Sequence, residues 1–374
     1  MSLDVHTIPS SSVQGISNIY DFSLEELTEK MASWAEPAYR ADQVWEGLYK
    51  HLWCAPNKFT SLSKSLRQKL SDQYSNFGLS GDGQTSFSNL HPIAIQKSTD
   101  GETIKTLFSL YDGKQVEAVL MRYSKRRTLC ISTQAGCAMG CVFCATGQMG
   151  FHCHLTGGEI IEQVLYYARL LAEENEQVTN IVIMGMGEPF HNFDATLHAI
   201  ETLKHAQGFN LGARRFTIST VGLVPGIRRF TQLHSQVNLA ISLHAANDEL
   251  RTQLLPINRK YPLEDLFSAC HEYIQVTHRR LSFEWALIQG VNDTAEQAHL
   301  LIQRLKSFRI GGSILCHVNV IPLNPTHKYA GHASTREGAL AFQKVLEEAG
   351  IPCTIRLRRG IEIQAGCGQL AAQV

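Results

Sequence analysis

The sequence predicts an α/β protein: a partial or full barrel of parallel strands with helices packed outside, preceded by a helical N-terminal domain and a small β extension. Three observations lead there. From Thr128 onward, short apolar runs of strand length alternate with longer segments of helical period, the pattern of repeated βα units. The first 75 residues carry helix start signals and amphipathic spacing instead. The chain has 374 residues and 44% hydrophobic content, enough for one large core and a smaller satellite domain.

Taken in order, Ser23 and Glu26 form a Ser-x-x-Glu capping box ahead of Leu24, Leu27 and Met31, which predicts a helix over Ser23–Ser33. Pro37 sits where a first helical turn tolerates it, before Tyr39, Val44, Trp45, Leu48 and Tyr49, and a third helix is expected from Ser63 to Tyr74. Lys58, Lys64, Arg67 and Lys69 could present a basic face to a phosphate backbone, or simply a solvated helix surface. Residues 78–89, polar and glycine-containing, read as a linker. Thr103–Leu110 and Val116–Arg122 flank Asp112-Gly113, a hairpin signal, and lead into a strand at Thr128–Thr133. Further strands are expected at Asn180–Met184, Arg215–Ser219, Asn238–Leu243, Leu281–Ile288, Cys316–Ile321 and Cys353–Leu357, with a long helix over Gly158–Glu174. The resulting division is a helical domain at 1–84, a β extension at 85–122, a core barrel at 123–362 and a tail at 363–374.

In such barrels the chemistry sits at the C-terminal ends of the strands. One stretch there stands out: Gln134–Gly150 holds Cys137, Cys141 and Cys144 in a C-x3-C-x2-C spacing, interleaved with glycines. Structural zinc favours four protein ligands and paired C-x2-C hooks, whereas three thiolates and an open position suit an iron-sulfur cluster. Zinc with Cys153 as a fourth ligand, or plain buried thiols, are the other readings of the spacing. Phe143 would shield a cluster, or be ordinary core.

Lysine plus arginine equals aspartate plus glutamate at 34 each, so no global field draws polyanions and any RNA surface must come from local clustering. Lys125 to Arg127, Arg214 and Arg215, Arg228 and Arg229, Arg279 and Arg280, and Arg356, Arg358 and Arg359 are such local groups. No run reaches the ~20 apolar residues of a membrane span, and the N-terminus lacks the pattern of a secretory signal. A cytoplasmic protein is expected. Ten cysteines then favour metal or redox chemistry over structural disulfides, with Cys54, Cys270, Cys316 and Cys353 reading as buried thiols.

The cysteine motif, together with Gly185-x-Gly187-Glu188-Pro189, resembles the radical S-adenosylmethionine enzymes. Within them the chain resembles the RlmN/Cfr methyltransferases of ribosomal RNA adenine. That narrower likeness rests on Thr128–Cys137, Ile218–Gly222 (ISTVG), Ile241–Ala245 (ISLHA), Asn319–Pro325 (NVIPLNP) and Ala365–Leu370 (AGCGQL), and covers nearly the whole chain. The resemblance implies a partial (β/α)6-type barrel. It implies one 4Fe-4S cluster on Cys137, Cys141 and Cys144, whose open iron is chelated by S-adenosyl-L-methionine, and cofactor contacts at Gly187, Glu188, Ser219, Ser242, Leu243, His244 and Asn324.

Carbon 2 of adenine is electron-poor and cannot attack a sulfonium methyl as a nucleophile, so a radical route is required. By resemblance, Cys367 first accepts a methyl group, a 5'-deoxyadenosyl radical abstracts a hydrogen from it, and the methylene adds to the adenine. Glu117 matches the base that removes the ring proton. Cys130 matches the thiol that attacks Cys367 and releases the product by disulfide formation; without the resemblance it reads as a buried strand cysteine and Glu117 as a solvated one. Implied partners are 23S ribosomal RNA, transfer RNA and an electron donor such as flavodoxin or ferredoxin, with the enzyme a monomer. Carbon 8 of the same adenine, the Cfr activity, uses the same cysteines. Two departures stand out: Cys153-His154 where many relatives carry Arg-Asn, and a less acidic stretch at Gly360–Gln364.

Overall fold

The computed structural model describes residues 18–75, 86–310, 312–326, 328–356 and 371. Contacts divide the chain into two compact units, Met1–Asn89 and Leu90–Val374.

In the first unit the helices α1 (Leu24–Ser33), α2 (Tyr39–Tyr49) and α3 (Lys64–Tyr74) form as their patterns predict. The capping box is present: Glu26 N donates to Ser23 Oγ at 3.1 Å and Ser23 N to Glu26 Oε2 at 2.7 Å. Leu27, Met31, Val44, Trp45, Leu48, Leu66, Leu70 and Tyr74 make the core. The basic face is narrower than its sequence suggests, because Lys69 donates to the Trp34 carbonyl at 3.1 Å and lies 3.9 Å from Glu36.

The second unit begins with an antiparallel extension of β1 (His91–Lys97), β2 (Thr103–Ser109) and β3 (Gln115–Tyr123), paired through β4 (Arg126–Cys130) to the barrel strands. The Asp112-Gly113 turn is where the sequence places it, Gly113 taking φ +80°. Beyond β4, the short strands β5 (Gln134–Gly136) and β6 (Phe151–His154) pair with each other around a small helix α4 (Ala145–Met149). Then come α5 (Gly157–Glu173), β7 (Asn180–Ile183), α6 (Phe193–Lys204), β8 (Phe216–Thr220), α7 (Val224–Gln232) and β9 (Asn238–Ser242). They are followed by α8 (Asp248–Leu254), α9 (Leu263–Thr277), β10 (Leu281–Leu287), α10 (Ala295–Leu305) and the hairpin β11 (Arg309–Ile310) and β12 (Ser313–Ile314). The last described elements are β13 (Cys316–Pro322), α11 (Arg336–Glu348) and β14 (Cys353–Ile355).

Among the described residues these build one ten-stranded sheet, ordered β1-β2-β3-β4-β7-β8-β9-β10-β13-β14. Pairing is parallel from β4 to β14. β1 and β14 are its two separate edges, so the barrel is partial. The β extension continues the barrel sheet.

Side chains alternate across a strand, and here the alternation separates structure from chemistry. Ile181, Ile183, Phe216, Ile218, Leu239 and Ile241 are buried. Their alternates Val182, Thr217, Ser219 and Ser242 are only half-buried and turn to the other face. Register aligns Cys130 with Val182 and Thr217 in one row across that face, and Ser242 with Glu284, Asn319 and Thr354 in another.

Strands β1, β5 and β6 escape the sequence reading. β1 contains Pro92, which argues against a central strand; it is an edge strand with a bulge between Pro92 and Ala94. β5 and β6 are too short to show a period. The strand expected at Thr128–Thr133 ends at Cys130, because the chain turns there towards the cysteine loop.

Candidate active site

The cysteine loop is fixed at its base by β5 and β6. Gly136 has φ +71°, and a Cβ there would stand 2.0 Å from the Gly150 carbonyl, which accepts a hydrogen bond from Cys137 N at 2.7 Å. The far side is held by Val142 N, which donates to the Leu254 carbonyl at 3.1 Å, and by Gln148 Nε2, which donates to the Val142 carbonyl at 2.7 Å. Met139, Val142 and Phe143 pack on an apolar cluster of Val221, Leu254, Leu255 and Ile288. The ring of Phe143 meets that of His244 edge-on at 5.0 Å.

Burial pushes the Cys137 thiol up to about 12 and the Cys141 thiol well above its ordinary value. After burial, mutual repulsion among Cys137, Cys141 and Cys144 is the leading cause at Cys141. Among the described residues no three His, Cys, Asp or Glu side chains could hold a single metal ion. In a 4Fe-4S cube each cysteine binds a different iron, so sulfurs that interact without meeting at one point fit a cluster. Three soft thiols beside a buried cation are a donor set that such a cluster satisfies. That cation is Arg251, fully buried and attracted to Cys141.

Cys153 does not join them. It lies on β6 opposite Ala135, and the charges acting on it are Lys114, Asp112 and Glu159. The zinc alternative with Cys153 as fourth ligand is therefore corrected. Its neighbour His154 accepts, at Nδ1, from Gln134 Nε2 at 3.0 Å, as His191 does at 3.1 Å, and burial lowers His154 to about 4.

The residues expected to contact S-adenosylmethionine line the strand ends. Gly187 has φ +104° and its Cα is pressed against Gln134, leaving no room for a side chain. Glu188 is buried; its carboxylate accepts from Val221 N at 2.8 Å and Phe190 N at 3.1 Å, bracing one strand end against the next. Burial raises its carboxyl to about 7, against the lowering effect of those N–H groups. Ser219 and Ser242 hydroxyls lie 3.3 Å apart on neighbouring strands. Leu243 is buried and its carbonyl accepts from Arg251 Nε at 3.2 Å.

His244 has φ +59°, a conformation a non-glycine residue keeps only when its surroundings enforce it. They do: Ala286 N donates to its Nδ1 at 2.9 Å, and Asn292 Nδ2 donates to its carbonyl at 2.8 Å. Burial, then Arg251, lowers the imidazole to about 3, so it is neutral with its proton on Nε2. Asn324 is half-buried just past β13. Glu284 faces Ser242 in register; its Oε1 accepts from Asn319 Nδ2 at 2.8 Å and its buried Oε2 has no hydrogen-bond partner among the described residues.

A second group lies across the β2–β3–β4 pairing. Glu117 is not the solvated strand glutamate its local sequence suggests: it is 2% exposed, and Oε2 lies 2.8 Å from Nζ of Lys105, which is 0% exposed. Ala371 N donates to Glu117 Oε1 at 2.6 Å. Cys130, opposite Val119 on β3, shares this space: burial raises its thiol to about 12, with Glu117 raising and Lys105 and Arg356 lowering it. Cys367 and the stretch Gly360–Gln364 lie outside the described residues.

Sequence reasoning missed Lys105, Arg251, Gln134 and Glu284. Only Lys105 left a signal, as a cation inside an alternating strand. Several of the arginines expected to grip RNA also form ion pairs within the protein: Arg127 with Glu176, Arg229 with Asp194 and Arg228 with Glu272. Lys125, Arg126 and Arg215 remain exposed. No helix of the described residues is long and apolar enough to cross a membrane.

Residues 131–302 match the radical SAM superfamily and residues 17–75 the ribosomal RNA large subunit methyltransferase N-terminal domain. The chain is 47% identical over 360 residues to the probable dual-specificity RNA methyltransferase RlmN of Chloroflexus aurantiacus, covering 95% of this chain and 93% of that protein. It is 46% identical to the dual-specificity RNA methyltransferase RlmN 1 of Myxococcus xanthus, covering 96% and 95%. A crystal structure of a radical SAM methyltransferase from Sphaerobacter thermophilus superposes with a TM-score of 0.87 at 44% identity, over 94% of this chain and 98% of that one.

Proposed function

This chain belongs to the RlmN-type radical S-adenosylmethionine RNA methyltransferases, and from that premise we propose that it methylates carbon 2 of an adenine in 23S ribosomal RNA and in transfer RNAs. The observation that carries the reading is the convergence of Cys130 and Glu117 on one face of the sheet, where Ala371, four residues after Cys367 in the chain, donates to Glu117. A thiol and a carboxylate there supply what the reaction needs besides the radical.

Cys137, Cys141 and Cys144 would hold the cluster, and Ser219, Ser242, Leu243, His244, Asn324, Gly187 and Glu188 would seat S-adenosylmethionine. When bound, these groups supply the electron and the methyl group. The chain's own residues do the rest. Cys367 carries the carbon to the adenine, forming a transient protein–RNA adduct. Glu117 takes the ring proton. Cys130, once deprotonated, attacks the Cys367 sulfur; a disulfide forms as the carbon–sulfur bond breaks, and the departing carbon keeps the electron pair and takes up a proton, so that the base leaves with a methyl group. Arg251 and Glu188 keep the strand ends in register, and the buried neutral His244 contributes no competing charge.

The expected setting is the cytoplasm, the chain acting as a monomer with flavodoxin or ferredoxin as electron donor. The match of residues 17–75 to a ribosomal RNA methyltransferase domain supports a large-subunit RNA substrate. The test is digestion of treated RNA to nucleosides and mass spectrometry against both methyladenosine standards. 2-Methyladenosine is expected; 8-methyladenosine alone would overturn the assignment.

A further inference from the structure

We propose that Lys105 is a positioning residue for proton removal: it anchors Oε2 of Glu117 and leaves Oε1 as the working oxygen. The inference rests on the reading of Glu117 as the base and goes beyond it by assigning a partner on a different strand.

The geometry divides the two oxygens. Oε2 meets Lys105 Nζ at 2.8 Å, with both side chains buried. Oε1 accepts the backbone N–H of Ala371, four residues after Cys367 in the chain. Oε1 thus meets a backbone N–H outside the sheet, whereas Oε2 meets a lysine fixed within the β2 strand. Lys105 and Glu117 are diagonal neighbours across β2 and β3, since Lys105 pairs with Val119 and Leu107 with Glu117, so their side chains lie on one face.

A lone carboxylate at this depth would be driven to its neutral acid, which cannot accept a proton. Among the described residues, the other titratable groups near this space do not replace the lysine. Cys130 on β4 would add negative charge as a thiolate. Tyr167 from α5 spends its hydroxyl on Thr106 Oγ1 at 2.9 Å and the Ala118 carbonyl at 2.8 Å. Arg356, after β14, is exposed and acts on Cys130 only through space. Lys105 is thus, among the described residues, a buried cation in contact with Glu117, and it also favours the Cys130 thiolate that Glu117 opposes.

The test is single-turnover RNA methylation by cluster-loaded, full-length protein across pH, comparing wild type with Lys105→Met, Lys105→Arg and Glu117→Gln. An opposite charge at this distance lowers a carboxyl by about 1–3 pH units. Lys105→Met should therefore move the acidic limb of the rate profile up by about that much, roughly tenfold in rate per unit at a fixed pH below the limb. Raising the pH should restore the rate, and Lys105→Arg should restore the wild-type limb. Glu117→Gln should be slow at every pH.

If Lys105→Met keeps the wild-type limb while Glu117→Gln is inactive, the role of Lys105 is refuted and that of Glu117 stands. If Glu117→Gln is fully active, both fall. Should Lys105→Met not fold, Lys105→Gln takes its place, read also by iodoacetamide labelling of the Cys130 peptide. The labelling midpoint should rise in pH without the cation; an unchanged midpoint together with an unchanged limb counts against the proposal, and a lower melting temperature alone does not support it.

Discussion

Arg251 makes the sharpest stability test, because the site leans on one guanidinium. It is fully buried and donates to the Val221 carbonyl at 2.7 Å, the Leu243 carbonyl at 3.2 Å and Asn258 Oδ1 at 2.8 Å. Arg251→Met preserves much of the length and removes every donor. The Leu243 carbonyl keeps Ala245 N as a donor at 2.8 Å, so two acceptors, the Val221 carbonyl and Asn258 Oδ1, lose their partner; at about 1–3 kcal/mol each they cost at least about 2 kcal/mol together. The opposing term is desolvation of the cation, which burial expresses by drawing the guanidinium from 12.5 down to about 10. Removing the charge returns part of that, so the low end of the sum, about 2 kcal/mol, is the expectation. The assay is anaerobic urea unfolding of the cluster-loaded protein followed by circular dichroism, with ligand affinity measured alongside. S-Adenosylmethionine binding should weaken too, since Val221 and Leu243 flank the seats of Glu188 and His244. A variant within about 1 kcal/mol of wild type and unaltered in binding would refute the reasoning.

Four further outcomes follow from the same geometry. Glu188 is displaced from 4.5 to about 7 by burial, so its stabilising effect is complete below about pH 4.5 and is lost as the pH rises through about 7. The loss amounts to about 3 kcal/mol; Glu188→Gln should flatten the unfolding midpoint between pH 5 and 8, and parallel profiles would contradict this. Gly136→Ala must displace the Gly150 carbonyl, 2.0 Å from the new Cβ, and should lower iron and sulfide content measured after reconstitution. Cys130→Ala should accumulate protein cross-linked to RNA on denaturing gels, and free product at the wild-type rate would exclude its release role. Cys367→Ala should keep the cluster absorbance and lose RNA methylation; retained methylation would exclude it as the carbon carrier.

Much of the fold is legible because its determinants are local. The capping box at Ser23 and Glu26, the Asp112-Gly113 turn and the apolar period of α5 each act within a few residues, and each element forms where the pattern puts it. The parallel strands are legible as a class because they alternate with helices. β1 is not, because Pro92 and two exposed isoleucines make an edge strand look like a loop. Clustering of Lys125 to Arg127 suggests a phosphate grip, yet Arg127 is committed to Glu176, 49 positions along the chain.

The cysteine spacing, the glycines around it and the length of the βα series are properties of the sequence by itself, and they point to the chemistry: three soft donors, suited to a cluster with an open position, after a parallel strand. Which groups share space with that chemistry is decided by register. Glu117 reads as a solvated strand residue until β2 and β3 pair and bring Lys105 alongside it, and Arg251 reads as a helix-surface cation until α8 turns it under two strand ends. Charge burial is the physical reason. Whether an ion is solvated or locked to a partner depends on what folds over it, and those partners lie 12, 8 and 30 residues away in the chain.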